Sequence, residues 1–149
     1  MKKEYSGKII NQKLRLKLKI KRALISVWNK DNIVDLCLFL SQQGIELLST
    51  GGTQKVLEEK GLKVTAIGDI TGSGAVMNGR LKTLHPKIFG GILADRENLS
   101  HLADLQVIDG LEIDLIIVNF YPFAKEAVEK QLDFKNAIEF IDIGGPSMV

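Results

Sequence analysis

Ser49-Thr50-Gly51-Gly52-Thr53 gathers three hydroxyls and two glycines into five consecutive residues of this chain. Glycines let backbone N–H groups come close to an anion, and a helix starting there adds the positive end of its dipole. An ordinary helix cap uses the same residue types, so both readings stand. No Gly-Lys-Ser/Thr follows, which excludes a Walker loop, and the dinucleotide fingerprint is absent too. A monophosphate fits best. A second cluster, Asn78 to Pro86, brings Arg80, Lys82 and Thr83 together in four residues, enough to grip a phosphate or activate a leaving oxygen. The plain alternative is a solvated basic face. His85 before Pro86 offers either acid–base chemistry or a fixed turn, and His101 falls in a polar helix start. Two separated histidines and one cysteine, Cys37, have no metal-ligand spacing, so no metal is expected.

Two further motifs carry candidates. In Asn119-Phe120-Tyr121-Pro122-Phe123 the proline holds Tyr121 extended, able to aim its hydroxyl into a cleft. Phe120 and Phe123 fit an aromatic plug equally well. In Ile141-Asp142-Ile143-Gly144-Gly145 a carboxylate stands among apolar neighbours. There it needs a partner, as a catalytic base does, or it caps a helix.

These residues must be positioned by regular elements. Ala23–Val27, Ile45–Leu48, Val64–Ile67 and Ile113–Val118 are short apolar runs that predict buried strands. Ile33, Leu36, Cys37 and Leu40 recur at helical spacing, with Gln43-Gly44 as a stop. Helices are also predicted over 55–60, 99–107 and from Phe134 to Ile141, and Ile88–Leu93 is a further apolar run. Four glycines in 68–79 predict a long loop. Strands alternating with helices give an α/β fold with a mostly parallel sheet flanked by helices, and ligands bind beyond the strands' carboxyl ends.

At 149 residues, with 45% apolar and 26% charged, the chain suits one globular domain with its own core. No apolar run approaches the ~20 residues of a membrane helix, and no h-region follows the first charges, so a cytoplasmic protein without membrane contact is expected. Residues 1–22 hold nine Lys or Arg against Glu4 alone, leaving a net acidic remainder. Residues 1–21 are read as a basic extension and 22–149 as the domain. Tyr5 is the extension's one aromatic, too few for a stacking platform, so nucleic acid is not the expected partner. Leu14, Leu16, Leu18 and Ile20 alternate with basic residues and predict a half-exposed strand.

Arg80-Leu81-Lys82-Thr83-Leu84-His85-Pro86-Lys87 with Gly90-Gly91-Ile92-Leu93, Asn119 to Phe123, and Ile141 to Gly145 together resemble the IMP cyclohydrolase domain of AICAR transformylase/IMP cyclohydrolase, over residues 22–149. The Ser-Thr-Gly-Gly-Thr turn is shared more widely, with methylglyoxal synthase and the allosteric domain of carbamoyl phosphate synthetase. The resemblance implies a methylglyoxal synthase-like three-layer sandwich and dehydrative closure of formamidoimidazole carboxamide ribotide to IMP. It implies Asp142 as base or amide orienter, and Lys82 and Tyr121 at the departing oxygen. Asn119 and the Ile143-Gly144 backbone would hold the heterocycle; Lys30, Thr50, Gly51, Gly52, Thr53, Arg80 and Thr83 would take the 5′-phosphate. No cofactor is implied for this step, folate belonging to the transformylase domain, and the full-length family is homodimeric.

There are departures. Trp28-Asn29-Lys30 stands where the family usually has Ser-Asp-Lys, removing a hydroxyl from the phosphate corner, and Asn78 replaces the more usual Asp or Gly. The family continues past the position of Val149 with Arg-Ala-Ala-Ala-Lys-Asn, whose lysine serves the formyl oxygen, and then with the transformylase domain. The expectation is therefore a truncated domain that binds but turns over poorly or not at all. Two other functions share the turn. A phosphate- or nucleotide-sensing regulatory domain would not need Lys82, Tyr121 or Asp142. A methylglyoxal synthase-like lyase would need a carboxylate in the long loop, where Asp69 is the only acid.

Overall fold

A computed structural model describes residues 19–149. Most of the alternating Leu14–Ile20 segment lies outside them, and residues 19–21 take no regular structure. Strand β1 (Arg22–Val27) is followed by α1 (Ile33–Gln42), β2 (Glu46–Ser49) and α2 (Gly51–Glu59). Next come β3 (Val64–Ala66), α3 (Ile67–Thr71), α4 (Pro86–Leu93) and α5 (Leu99–Val107). After β4 (Leu115–Asn119) come a π-helical turn (Ala124–Val128), α6 (Phe134–Ala137) continued by a 3-10 turn (Ile138–Phe140), and α7 (Gly144–Ser147). All strand pairs are parallel, in the order β3-β2-β1-β4. Among the described residues no helix is long and apolar enough to cross a membrane.

The central strand shows why a continuous apolar run is needed. Ala23, Ile25 and Val27 point to one face and pack with Ile33, Cys37, Leu40 and Leu57 of α1 and α2. Leu24 points to the other, with Ile67, Ile88 and Met148. Helices thus cover both faces in three layers. Each fully buried Leu or Ile contributes about 2 kcal/mol. Cys37 is fully buried, and burial pushes its thiol up from the ordinary value.

Three strand and loop expectations need correction, and the Ile88–Leu93 run proves helical. The third strand stops at Ala66, because Ile67 instead opens α3 and buries its side chain with Leu24 and Ile88. The stretch 68–79 is therefore not one loop: α3 occupies its start and ends at Gly72 (φ +68), and a Val76–Leu81 bridge closes its far side around a 3-10 turn. The apolar run Ile88–Leu93 belongs to a helix, started by Pro86 and by His85 Nδ1, which accepts the Lys87 N–H at 3.2 Å. His85 is thus a structural cap. The last strand is shifted to Leu115–Asn119, and Ile113 instead donates its N–H to the Gly91 carbonyl at 3.0 Å.

Candidate functional site

The chain moves outward from β1 through β2 to β3, then returns to place β4 on β1's other side. The loops leaving β1 and β4 consequently diverge, and a crevice opens at their carboxyl ends. Asn119 closes its floor. Its Oδ1 accepts the N–H groups of Trp28 (2.6 Å) and Asn29 (3.0 Å), while its Nδ2 donates to the Asn29 carbonyl at 2.8 Å. The family resemblance implies Asn119 at a ligand heterocycle; as folded, its amide clamps the β1–α1 loop.

Above this floor lies a cleft of ≈ 560 Å³. One wall is the start of α2, where Thr50 is extended and Gly51 takes φ +57, a left-handed conformation that suits glycine. Two ammonium groups converge there. A Cβ placed on Gly51 would sit 3.4 Å from Lys82 Nζ, and one on Gly52 would sit 4.0 Å from Lys30 Nζ. Lys30 Nζ donates to the carbonyls of Trp28 (3.0 Å) and Val27 (3.4 Å), which fixes it in place. Among the described residues no carboxylate lies within 4.0 Å of either ammonium. Backbone amides at a nine-residue helix's N-terminus beside two unneutralised cations make an anion site.

Thr53 has another task. It is buried, and its Oγ1 donates to the Val27 carbonyl at 2.9 Å while the Val27 N–H approaches it at 3.4 Å. Only its main chain remains for an anion. Thr53→Val keeps the volume but deprives Val27 of both contacts, so unfolding free energy should drop by about 1–3 kcal/mol. Denaturant melts of the two proteins measure this; an unchanged midpoint would show that the hydroxyl is dispensable.

The opposite wall comes from late in the chain. Asp142 Oδ1 accepts the Gly145 N–H at 3.0 Å, so the capping role is real, while the carboxylate also lines the cleft. Gly145 is buried, and a Cβ on it would meet Asp142 Oδ2 at 2.7 Å and Phe120 at 3.0 Å. Thr83 is buried with its Oγ1 facing Gly144, and Ile143, Gly144 and Tyr121 complete this side. Arg80 reaches the cleft but pairs with Glu139, whose hydrogen bond and charge push the guanidinium up from its ordinary value. Glu139 had no sequence signal, because its partner lies far along the chain. Trp28 was noted only as a departure, yet its ring lines the cleft beside Tyr121. The other candidates separate from the site: Asp69 sits exposed on α3, and His101 Nδ1 accepts the Asp95 N–H at 3.2 Å.

Comparison with known proteins adds to this geometry. The family model described as MGS-like domain matches residues 32–147. The chain belongs to this family. The bifunctional purine biosynthesis protein PurH of Clostridium acetobutylicum is 49% identical to this MGS-like domain over 130 residues, 87% of the chain and 26% of the relative. PurH of Bacillus cytotoxicus is 50% identical over 129 residues, 87% and 25% respectively. The crystal structure of ForH superposes with a TM-score of 0.72 at 34% identity, over 87% of this chain and 65% of that one. The chain spans about a quarter of the length of the curated relatives it matches. The three-layer fold expected of an MGS-like domain is the one found.

Proposed function

We propose that the cleft binds a purine nucleoside 5′-monophosphate and that this domain carries IMP cyclohydrolase chemistry, the ring closure of formamidoimidazole carboxamide ribotide with loss of water. The observation that carries the reading is the pairing, in one cleft, of a doubly cationic helix terminus with an Asp142–Tyr121 wall. Its similarity to PurH, a purine biosynthesis protein, supports the choice of substrate class.

The phosphate sits on the first amides of α2, with Lys30 and Lys82 neutralising it. Arg80 joins after exchanging Glu139 for a phosphate oxygen. The substrate's carboxamide nitrogen is a poor nucleophile and its formyl carbon a weak electrophile, so geometry and proton placement carry the rate. The Asp142 carboxylate takes the amide proton as the C–N bond forms. The formyl oxygen becomes a hydroxyl by taking the Tyr121 proton; it then leaves as water with the proton held on Asp142, while the formamido N–H returns its proton to Tyr121 as the C=N bond forms. Lys82, whose ammonium lies at Gly51, serves the phosphate. The Ile143-Gly144 backbone lies against the heterocycle. Asn119 acts at one remove, by holding the β1–α1 loop.

The other readings are weaker. A lyase of the methylglyoxal synthase type loses its base, since Asp69 is outside the cleft. A sensing domain is disfavoured by relatives that are biosynthetic enzymes. Calorimetric titration of the 149-residue chain with IMP, inorganic phosphate and dihydroxyacetone phosphate separates the cases. IMP should bind at least tenfold more tightly than either competitor, about 1.4 kcal/mol. Equal, weak heats from all three would reduce the site to a bare anion turn and refute the nucleotide assignment.

A further inference from the structure

Trp28 is the only tryptophan of the chain, and it is partly buried, with its main chain fixed and its side chain lining the cleft. Its N–H is held by Asn119 and its carbonyl by Lys30 Nζ, the same ammonium that approaches Gly52. From that anchor beside the anion turn the indole extends to Tyr121, with ring centroids 6.4 Å apart and planes at 58°. At this tilt the two rings are not stacked face to face. Tyr121 is held in its turn by an edge contact to Phe140, centroids 6.2 Å apart at 83°. A partly exposed indole face in a cleft, next to a phosphate-type site, is suited to a flat aromatic ring.

We propose that Trp28 is the stacking face for the heterocycle of the bound nucleotide, and so a specificity-determining residue that favours base-bearing phosphates over sugar phosphates. The inference rests on the nucleotide reading of the cleft. The phosphate stays with Lys30, Lys82 and α2; the ring lies on the indole, and Tyr121 meets its edge. The hydroxyl expected at this position from the family pattern is thereby exchanged for contact area with the base.

A single tryptophan makes the test direct, since all indole emission reports on Trp28. The chain is titrated with IMP, ribose 5-phosphate and inorganic phosphate, reading fluorescence and heat together. IMP should quench the emission, whereas ribose 5-phosphate should give heat without quenching. Trp28→Ala should weaken IMP about tenfold and leave ribose 5-phosphate unchanged, and Trp28→Phe should retain most of the IMP affinity. IMP heat without quenching, at equal affinity in Trp28→Ala, would overturn stacking while leaving the nucleotide reading intact. Equal losses for IMP and ribose 5-phosphate would assign Trp28 to the anion end and also overturn it. No IMP heat with the unsubstituted chain would remove the nucleotide reading and the stacking role with it.

Discussion

In the chain extended by the family's Arg-Ala-Ala-Ala-Lys-Asn segment, Asp142→Asn is expected to lower the rate of ring closure by about 10²- to 10⁴-fold, the range for loss of a general base, with IMP affinity changed less than about threefold. The asymmetry follows from the carboxylate's two jobs. Oδ1 accepts the Gly145 N–H at 3.0 Å, and an asparagine oxygen can accept the same bond, so the start of α7 should persist. The amide has no basic lone pair with which to take a proton from the substrate. Asp142→Ala removes both functions and should additionally lower stability by about 1 kcal/mol, the value of a lost cap. Steady-state kinetics by appearance of IMP, with melting curves on both variants, separates the roles. Should Asp142→Asn retain full rate, or lose affinity and rate in equal measure, Asp142 is a cap and the base lies elsewhere.

The parts of this domain that were legible in its sequence are those in which local pattern and tertiary environment agree. β1 lies inside the sheet with helices on both faces, so an unbroken apolar run is both its signal and its requirement. The spacing Ile33–Cys37–Leu40 predicts α1 because those are the residues it buries. Where only two or three side chains carry the packing, the signal fades. α3 is five residues long and is held by Ile67 and Ile70; the glycines around them dominate the local pattern. α4 contains Gly90-Gly91, which lowers its apparent helix propensity, and its evidence is tertiary: Gly91 makes close contact with the chain entering β4.

The site was legible as a set and not as a list of roles. The motifs after β1, β2 and β4 all meet in the cleft because parallel strands bring their carboxyl ends to one edge. What each side chain does there depends on partners that spacing does not reveal. Asn119 meets Trp28 and Asn29 some ninety residues away, Thr53 meets Val27, and Arg80 meets Glu139. Two of these polar groups, Asn119 and Thr53, which the family resemblance places on a ligand, are committed to backbone. That separation matters for interpreting variants, since losing Asn119 or Thr53 disturbs the position of Trp28 as well as any contact to substrate.

Gly91→Ala should destabilise the domain by about 3 kcal/mol or more, lowering Tm by roughly 6–12 °C, although alanine is the better helix former. In an open helix interior the exchange would gain up to about 1 kcal/mol. Here a Cβ would stand 2.1 Å from the Leu111 carbonyl oxygen and 3.2 Å from the Ile113 side chain, so backbone must move. The Gly91 carbonyl also accepts the Ile113 N–H at 3.0 Å and an Arg96 N–H at 2.7 Å, bonds that fix the approach to β4. Gly90 provides the matched comparison on the same helix. Its Cβ would meet only the ends of Ile108 and Leu105, at 3.0 and 3.3 Å, which can rotate away, so Gly90→Ala should cost less than about 1.5 kcal/mol. Thermal melts of the two variants side by side decide the matter, and indistinguishable Tm values would mean that the α4–β4 approach is not the tight contact described. Because β4 delivers Asn119 and Tyr121 to the cleft, residual folded Gly91→Ala should also bind IMP more weakly, whereas Gly90→Ala should bind as the unsubstituted chain does.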